Sequence, residues 1–247
     1  AIRDPLWSRG LGDVYKRQIH AIAVDSTSGT VLPVCGDGQP AGMALLYDDM
    51  RAAEEATNCD EVFAGRCSPT FSLPKILWMQ NHLDLPEDVI FLHAADFLNS
   101  WLAGTPEIPT DFTNAMKTGV DPVLGKWPRG LKDLGLPEVV APGRRFGFLR
   151  EDLRRRWRLP REVALVSGAT DSNAAFYASG AASPGDWSTT IGTTMAFKGL
   201  SEARIEDPQA RIYCHRHPDG SWLPGGASNA VSYTHLRAHE TREDRVC

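Results

Sequence analysis

Asp171 and the Gly192-Thr193-Thr194 triplet about twenty residues later are the residues of this chain whose types and spacing suit chemistry. Apolar Val163-Ala-Leu-Val166 reads as a buried strand, Gly168 and Thr170 interrupt it, and Asp171 begins an alanine-rich helical run through Ala178. At such a helix start the macrodipole and free N–H groups favour an ionised carboxylate, which can accept a proton. Downstream, Trp187, Thr189 and Ile191 alternate with Ser188 and Thr190, Gly192 supplies a turn that a Cβ would obstruct, and Met195 and Phe197 resume the alternation. The tip of that hairpin offers backbone N–H groups and two threonine hydroxyls to an anion, without a lysine-bearing phosphate loop. Carboxylate and hairpin together suit phosphoryl transfer, whose loose transition state depends on positioning. Singly, each also has a plain structural reading, as an N-cap and as a turn.

The elements that must position these residues are mixed α and β. Ile19 to Val24 and Thr30 to Val34 read as strands, with Gly36-Asp-Gly38 as a hairpin turn before a further strand at Ala44 to Tyr47. Leu73 to Gln80 and Ala94 to Leu102 carry helical spacing. The second places Phe97, Leu98, Trp101 and Leu102 on one side and stops at Gly104. Arg150 to Arg158 is a short basic helix, and Leu159-Pro160 then leads into the Val163 strand, so a domain boundary is expected at 160/161. No repeat of solenoid period is present.

Composition narrows the class. A chain of 247 residues with 42% hydrophobic content can bury one good core or two small ones. No apolar run approaches eighteen residues, and the N-terminus lacks the basic-then-apolar layout of a signal peptide, so no membrane partner and a cytoplasmic location are expected. Net charge is −5 although the first eighteen residues carry four basic and two acidic groups, and this acidic balance argues against nucleic acid as a partner. Arg154-Arg-Arg156 beside Trp157 accordingly reads as a solvated helix face. Five cysteines without ligand spacing read as reduced cytosolic thiols, forming neither a disulfide framework nor a zinc site.

Several polar groups remain open between two readings. Ser26, Thr27, Ser28 and Thr30 are hydroxyls at a strand end that either satisfy local backbone or contact a polyol. Asp48 and Asp49 before Arg51 form either an acidic pair at a helix start or a ligand-contacting set. Asp96, between His93 and Phe97, reads as a helix-face residue. His215 and His217 lie on one side of a strand, but no carboxylate or cysteine completes a metal set. His235 and His239 have helical zinc-pair spacing within a tail that has no apolar face to bury.

The order, spacing and flanks of these segments resemble the FGGY family of carbohydrate kinases. The resemblance covers roughly residues 19 to 230 and includes Ala23-Val-Asp-Ser-Thr-Ser-Gly-Thr-Val-Leu-Pro33, Leu45-Leu-Tyr-Asp-Asp-Met-Arg51, His93-Ala-Ala-Asp-Phe-Leu98, the run Thr110 to Asp121, Val140-Ala-Pro-Gly143 and Gly225-Gly-Ala-Ser-Asn229. The Asp25 to Thr30 segment and the Tyr213 to Asn229 run look most like the pentulose kinases, in particular those of D-ribulose. The resemblance implies a two-domain, actin-like (ribonuclease H-like) α/β sugar kinase fold, here truncated at both ends. By resemblance, Asp171 is the base toward the sugar hydroxyl. Ser28, Thr30, Asp48, Asp49 and Arg51 contact the sugar, Gly192, Thr193 and Thr194 hold phosphates, and Gly225 and Gly226 lie on the nucleotide side.

ATP and Mg²⁺ are the implied cofactors, and the metal's protein ligand belongs to an Asp-x-Gly-Thr hairpin that this chain does not show. The implied partners are therefore a small sugar and ATP, on a primary hydroxyl of a ketopentose such as D-ribulose or D-xylulose; oligomeric state is not legible. Residues 19–160 then form the sugar-binding domain and 161–230 the beginning of the nucleotide-binding domain. Residues 1–18 and 231–247 depart abruptly from the family pattern and read as adapter-like, non-native tails. L-Ribulose or glycerol as substrate, or a non-catalytic sugar-binding module or inactive fragment, are the competing readings.

Overall fold

In the computed structural model, which describes residues 16, 18–63, 65–159, 162–191, 195–207 and 212–228, the chain divides into two compact units, one ending at Asp171 and the other beginning at Ser172. The first contains β1 (Ala21–Ala23), β2 (Val31–Val34), α1 (Ala53–Asn58), α2 (Ser72–His82), β3 (Ile90–His93), α3 (Ala94–Ala103), β4 (Thr110–Asp111), α4 (Phe112–Ala115), β5 (Val139–Val140), β6 (Arg145–Phe148), α5 (Glu151–Arg156) and β7 (Ala164–Val166). Helix α6 (Asp171–Ala178) opens on the last residue of that unit. The second unit then adds β8 (Trp187–Ile191), β9 (Met195–Gly199), β10 (Tyr213–Arg216) and β11 (Trp222–Ser228).

The pairing that matters for the site is β1 with β7. The two strands run parallel, Ala23 beside Val166, with β6 antiparallel on the other side of β7. Leu165, Val163, Leu102, Leu149, Leu153 and Leu159 bury together beneath this sheet, with Ile22 and Val24 packed against them. Each fully buried aliphatic side chain contributes roughly 2 kcal/mol, so this cluster fixes the strand ends that carry the polar residues. β7 lies between β1 and β6, and the compact units divide after Asp171.

Two sequence expectations need correction. Residues 44–47 do not form a strand: apart from a single bridge of Leu45 to Val31, β2 takes β3 as its antiparallel partner. Leu46 and Tyr47 point outward while Leu45 joins Val31, Ile76, Met79 and Phe91 under α2, so the segment has one buried residue and no alternation to sustain a ladder. Helix α3 does end on Gly104, in the left-handed conformation, but its buried face is Ala95, Asp96, Asn99, Ser100 and Leu102. Leu98 and Trp101 are about half exposed, and Trp101 is covered instead by the Arg150 guanidinium, 4.9 Å from its ring centre.

The second unit is an antiparallel sheet in the order β10-β11-β9-β8. Ile191 pairs with Met195 and Trp187 with Gly199, so β8 and β9 form the expected hairpin arms, while residues 192–194 lie outside the described residues. Phe176 of α6 packs on Leu200 and Leu223. Residues 229–247, with Asn229, His235 and His239, and all of the first eighteen residues except 16 and 18 also lie outside the described residues.

Candidate active site

Asp171 is positioned by the end of β1. Beyond the paired strands, Ser26 bridges Thr170, the Ser26 N–H donates to the Ala169 carbonyl at 3.3 Å, and the Asp171 N–H donates to the Ser26 carbonyl at 3.0 Å. Asp25 Oδ1 accepts from the Ala169 N–H at 3.0 Å. A Cβ at Gly168 would run into the Val24 carbonyl, so only glycine lets the two segments approach this closely. The polar residues thus collect outside the carboxyl ends of two parallel strands, where open α/β sheets bind ligands. The Asp171 side chain is exposed there, on the first turn of α6.

A buried relay fixes the residue before it. The Thr170 N–H donates to Thr113 Oγ1 at 2.8 Å, and the Thr113 hydroxyl donates to Asp111 Oδ1. Asp111 caps α4, accepting from the N–H groups of Thr113 at 2.8 Å and Asn114 at 3.0 Å and from Asn114 Nδ2 at 2.6 Å. Burial pushes the Asp111 carboxyl upward, opposed by the Thr113 and Asn114 donors. Nearby, buried His93 sits between Asp96 Oδ2 at 2.8 Å, Thr110 Oγ1 at 3.0 Å and Thr118 Oγ1 at 2.9 Å. Asp96 closes a capping box at the start of α3 and lies on that helix's buried face.

Around the Ser28 loop the structure places two lysines that sequence reading did not single out. Lys117 Nζ donates to the Ser28 carbonyl at 3.3 Å, lies 5.8 Å from the centre of the Phe71 ring, and is close enough to Asp171 for that charge to act on it. Burial holds its pKa below the ordinary lysine range and Asp171 opposes that shift. Lys75 is fully buried and donates to the carbonyls of Gly29 at 2.9 Å, Leu46 at 2.5 Å and Thr70 at 3.0 Å, tying three loops together. Burial pushes its ammonium down to about 8.

The expected sugar residues do not share one role. Ser28 is half-buried in the loop after β1, Thr30 is buried at the entry to β2, and the Ser26 hydroxyl is buried without a hydrogen-bond partner. Asp48 is exposed. Asp49 binds Arg51 locally, through Nε at 3.0 and 3.1 Å and through the terminal nitrogen at 2.9 Å, and these donors hold its carboxyl below the usual range. The Arg51 guanidinium also lies 5.0 Å from the centre of the Trp78 ring. This ion pair forms in the loop before α1, whose first helical residue is Ala53.

In the second unit Gly225 and Gly226 stand in the middle of β11, opposite Lys198 and Phe197. A Cβ at Gly225 would lie 2.8 Å from the Phe197 carbonyl oxygen and 3.1 Å from the Tyr213 ring, which gives that glycine a packing reason of its own. Buried Lys198 donates to Asn173 Oδ1, whose Nδ2 lies 3.2 Å from His215 Nδ1. His217 lies beyond the end of β10 and pairs with Asp219 at 2.6 Å. Among the described residues no three His, Cys, Asp or Glu side chains converge on a possible metal position, and no helix is long and apolar enough to cross a membrane.

The parallel strand pair, with a carboxylate and a hydroxyl-bearing loop at its carboxyl ends, has an α/β ligand-binding architecture. The comparison with known proteins makes the class specific. Residues 8–177 match the N-terminal domain of the FGGY family of carbohydrate kinases, and the chain belongs to that family. The match begins at residue 8, inside the stretch 1–18 that reads as adapter-like.

The chain is 24% identical over 220 residues to the xylulose kinase of Lactococcus lactis subsp. lactis, covering 82% of this chain and 43% of that one. A crystal structure of a xylulose kinase ("xyloylose kinase") from Brucella ovis superposes with a TM-score of 0.77 at 21% identity, covering 91% of this chain and 50% of that one. Plasmodium falciparum glycerol kinase with ADP gives 0.76 at 18% identity, covering 96% and 53%. The chain therefore carries the actin-like α/β fold of these sugar kinases. It spans about half the length of the curated relatives it matches.

The residues that sequence reading missed are Asp111, Thr113, Lys75 and Lys117. Asp111, Thr113 and Lys117 fall inside the Thr110 to Asp121 run quoted for the family, but nothing in their spacing says which face the loop after β1. Lys75 in an apolar helical stretch was the available signal, since a lysine on a buried face must find acceptors.

Proposed function

We propose that the protein transfers the γ-phosphoryl group of ATP to a primary hydroxyl of a ketopentose, D-xylulose or D-ribulose. The observation that carries this is the pairing of Asp171 with Ser26, which sets a carboxylate beside the hydroxyl loop at the strand ends. The sugar oxygen attacks the γ-phosphorus, its proton passes to the Asp171 carboxylate, and the bond to the bridging oxygen breaks to release ADP. Ser28, Thr30, Asp48, Asp49 and Arg51 surround the sugar in this reading. Gly192, Thr193, Thr194, Gly225 and Gly226 serve the nucleotide side, and the similarity to xylulose kinases supports the substrate class. The described residues supply no three-ligand metal position, so no protein ligand is assigned to Mg²⁺ and no step is routed through it.

The test is coupled ADP release by the whole open reading frame that encodes this sequence, with D-xylulose, D-ribulose, L-ribulose, glycerol and no sugar. Ketopentose-dependent ADP release is expected. Turnover only with glycerol moves the substrate within the family, and no sugar-dependent release with any of them overturns the proposal.

A further inference from the structure

Where the loop between α3 and β4, the approach to β5 and the start of β6 meet, the first unit carries a cavity of about 500 Å³. It shares no residue with the sugar and phosphate assignments above. Its walls are apolar and stiff. Ile90, buried Ile108 and Phe146 line it together with Pro106, Pro109 and Pro137, whose rings fix the backbone before any ligand arrives. A pocket of this size and lining suits a small molecule with an apolar part.

The rim carries both signs. Glu107 and Glu138 lie there with Arg144 and Arg145, so neither a pure anion nor a pure cation meets a field of one sign. Arg145 lies over the Phe148 ring, 5.3 Å from its centre. Glu138 and Arg144 face each other at 3.9 Å, beyond the roughly 2.7–2.9 Å of a closed charge-assisted hydrogen bond. Both side chains are more than half exposed, and such a surface pair contributes little by itself. Their backbones are nonetheless fixed: the Glu138 carbonyl accepts from the Thr110 N–H and the Arg144 carbonyl from the Ser167 N–H, each at 2.9 Å. An open carboxylate–guanidinium pair on a fixed backbone, beside an apolar wall, is complementary to a molecule with an ammonium and a carboxylate on one carbon and an apolar group attached to it. We propose that this cavity binds a free apolar α-amino acid. Its ammonium donates to Glu138, its carboxylate accepts from Arg144, and its side chain packs on Ile108, Phe146 and the prolines. A peptide terminus does not satisfy the site in the same way, because an amide bond removes one of the two charges. The inference stands apart from the proposed phosphoryl transfer, and neither depends on the other.

The test is equilibrium binding of L-phenylalanine, its amide, its N-acetyl derivative and glycine to the 247-residue chain, by calorimetry. L-Phenylalanine is expected to bind, and the amide and the N-acetyl derivative, which stand for the two ends of a peptide, to bind roughly 10- to 100-fold more weakly, each lacking one hydrogen bond to a charged group. Glycine is expected to be weaker by roughly 10- to 100-fold as well, because it buries no side chain. Arg144→Gln should weaken L-phenylalanine roughly 10- to 100-fold and its amide by less than about threefold, since the amide brings no carboxylate to that arginine. Glu138→Gln should weaken L-phenylalanine to the same extent and spare the N-acetyl derivative. Thermal melts without ligand report whether each fold is kept, and if one variant does not fold the other decides. No binding of L-phenylalanine, equal affinities for L-phenylalanine and its two derivatives, or folded variants that bind L-phenylalanine as the wild type does would each overturn the proposal.

Discussion

Asp171 brings two groups to the strand ends, a backbone N–H and a carboxylate. Its backbone N–H is committed to the Ser26 carbonyl at 3.0 Å, while its side chain is exposed on the first turn of α6. Asparagine suits a helix start as well as aspartate does, so Asp171→Asn removes the proton acceptor and keeps the local fold. In the enzyme made from the whole reading frame this change is expected to lower kcat by roughly 10²- to 10⁴-fold with sugar affinity little altered, measured by steady-state ADP release. Near wild-type turnover would reduce Asp171 to a cap.

Lys75 presents the opposite case, a charge used for architecture. Lys75→Met leaves the carbonyls of Gly29, Leu46 and Thr70 without their donor, which should cost about 2–3 kcal/mol in urea unfolding even though a buried charge is relieved. The effect depends on pH in a fixed direction. The folded lysine gives up its proton near 8 and an unfolded one keeps it to 10.5, so between these values the unfolded chain binds more protons. Raising pH through that window therefore favours the folded state, and below it the burial cost is fully present. The stability gap between wild type and Lys75→Met should widen from pH 8 to pH 10; a narrowing gap would reverse the assignment.

At the scale of elements, the β1–β7 pair and the turn into α6 act as one device. Gly168 is its tightest point, because the Val24 carbonyl occupies the space a Cβ would need. Gly168→Ala should cost about 2 kcal/mol or more by overpacking, lowering Tm by roughly 4–8 °C in a thermal melt. Gly147 in β6 is the matched control, with nothing near its absent Cβ, and Gly147→Ala should change stability by less than about 0.5 kcal/mol. Equal effects at both glycines would show that close approach of the strand ends does not hold the site together. Helix α3 teaches a different lesson about elements. Its apolar spacing pointed to Leu98 and Trp101 as the inner face, yet the buried positions are taken by Asp96, Asn99 and Ser100, since the capping box with His93 draws the polar side inward.

At the scale of the molecule, the curated relatives are about twice as long as the matched region. In-line transfer requires the phosphates to be held and aligned from several directions, and within this chain the β8–β9 hairpin is the one element read as holding them. The 247 residues assayed alone are therefore expected to show no ketopentose-dependent ADP release above the no-sugar background. Turnover by the isolated chain that is abolished by Asp171→Asn would show that these residues suffice.

What the sequence by itself determined is local: the buried strand before Asp171, the helix it opens, the alternating arms of β8 and β9, the stop at Gly104, and through their order the family. Each of these is written in neighbouring residues, by alternation, by capping chemistry or by glycine's freedom. Only the tertiary structure decided that β2 pairs with β3 instead of residues 44–47, that β7 belongs between β1 and β6, and that Lys75 and Lys117 converge on the loop after β1. Those outcomes turn on which distant carbonyl, carboxylate or strand edge is within about 3 Å of a given donor, and spacing along one chain does not encode that distance.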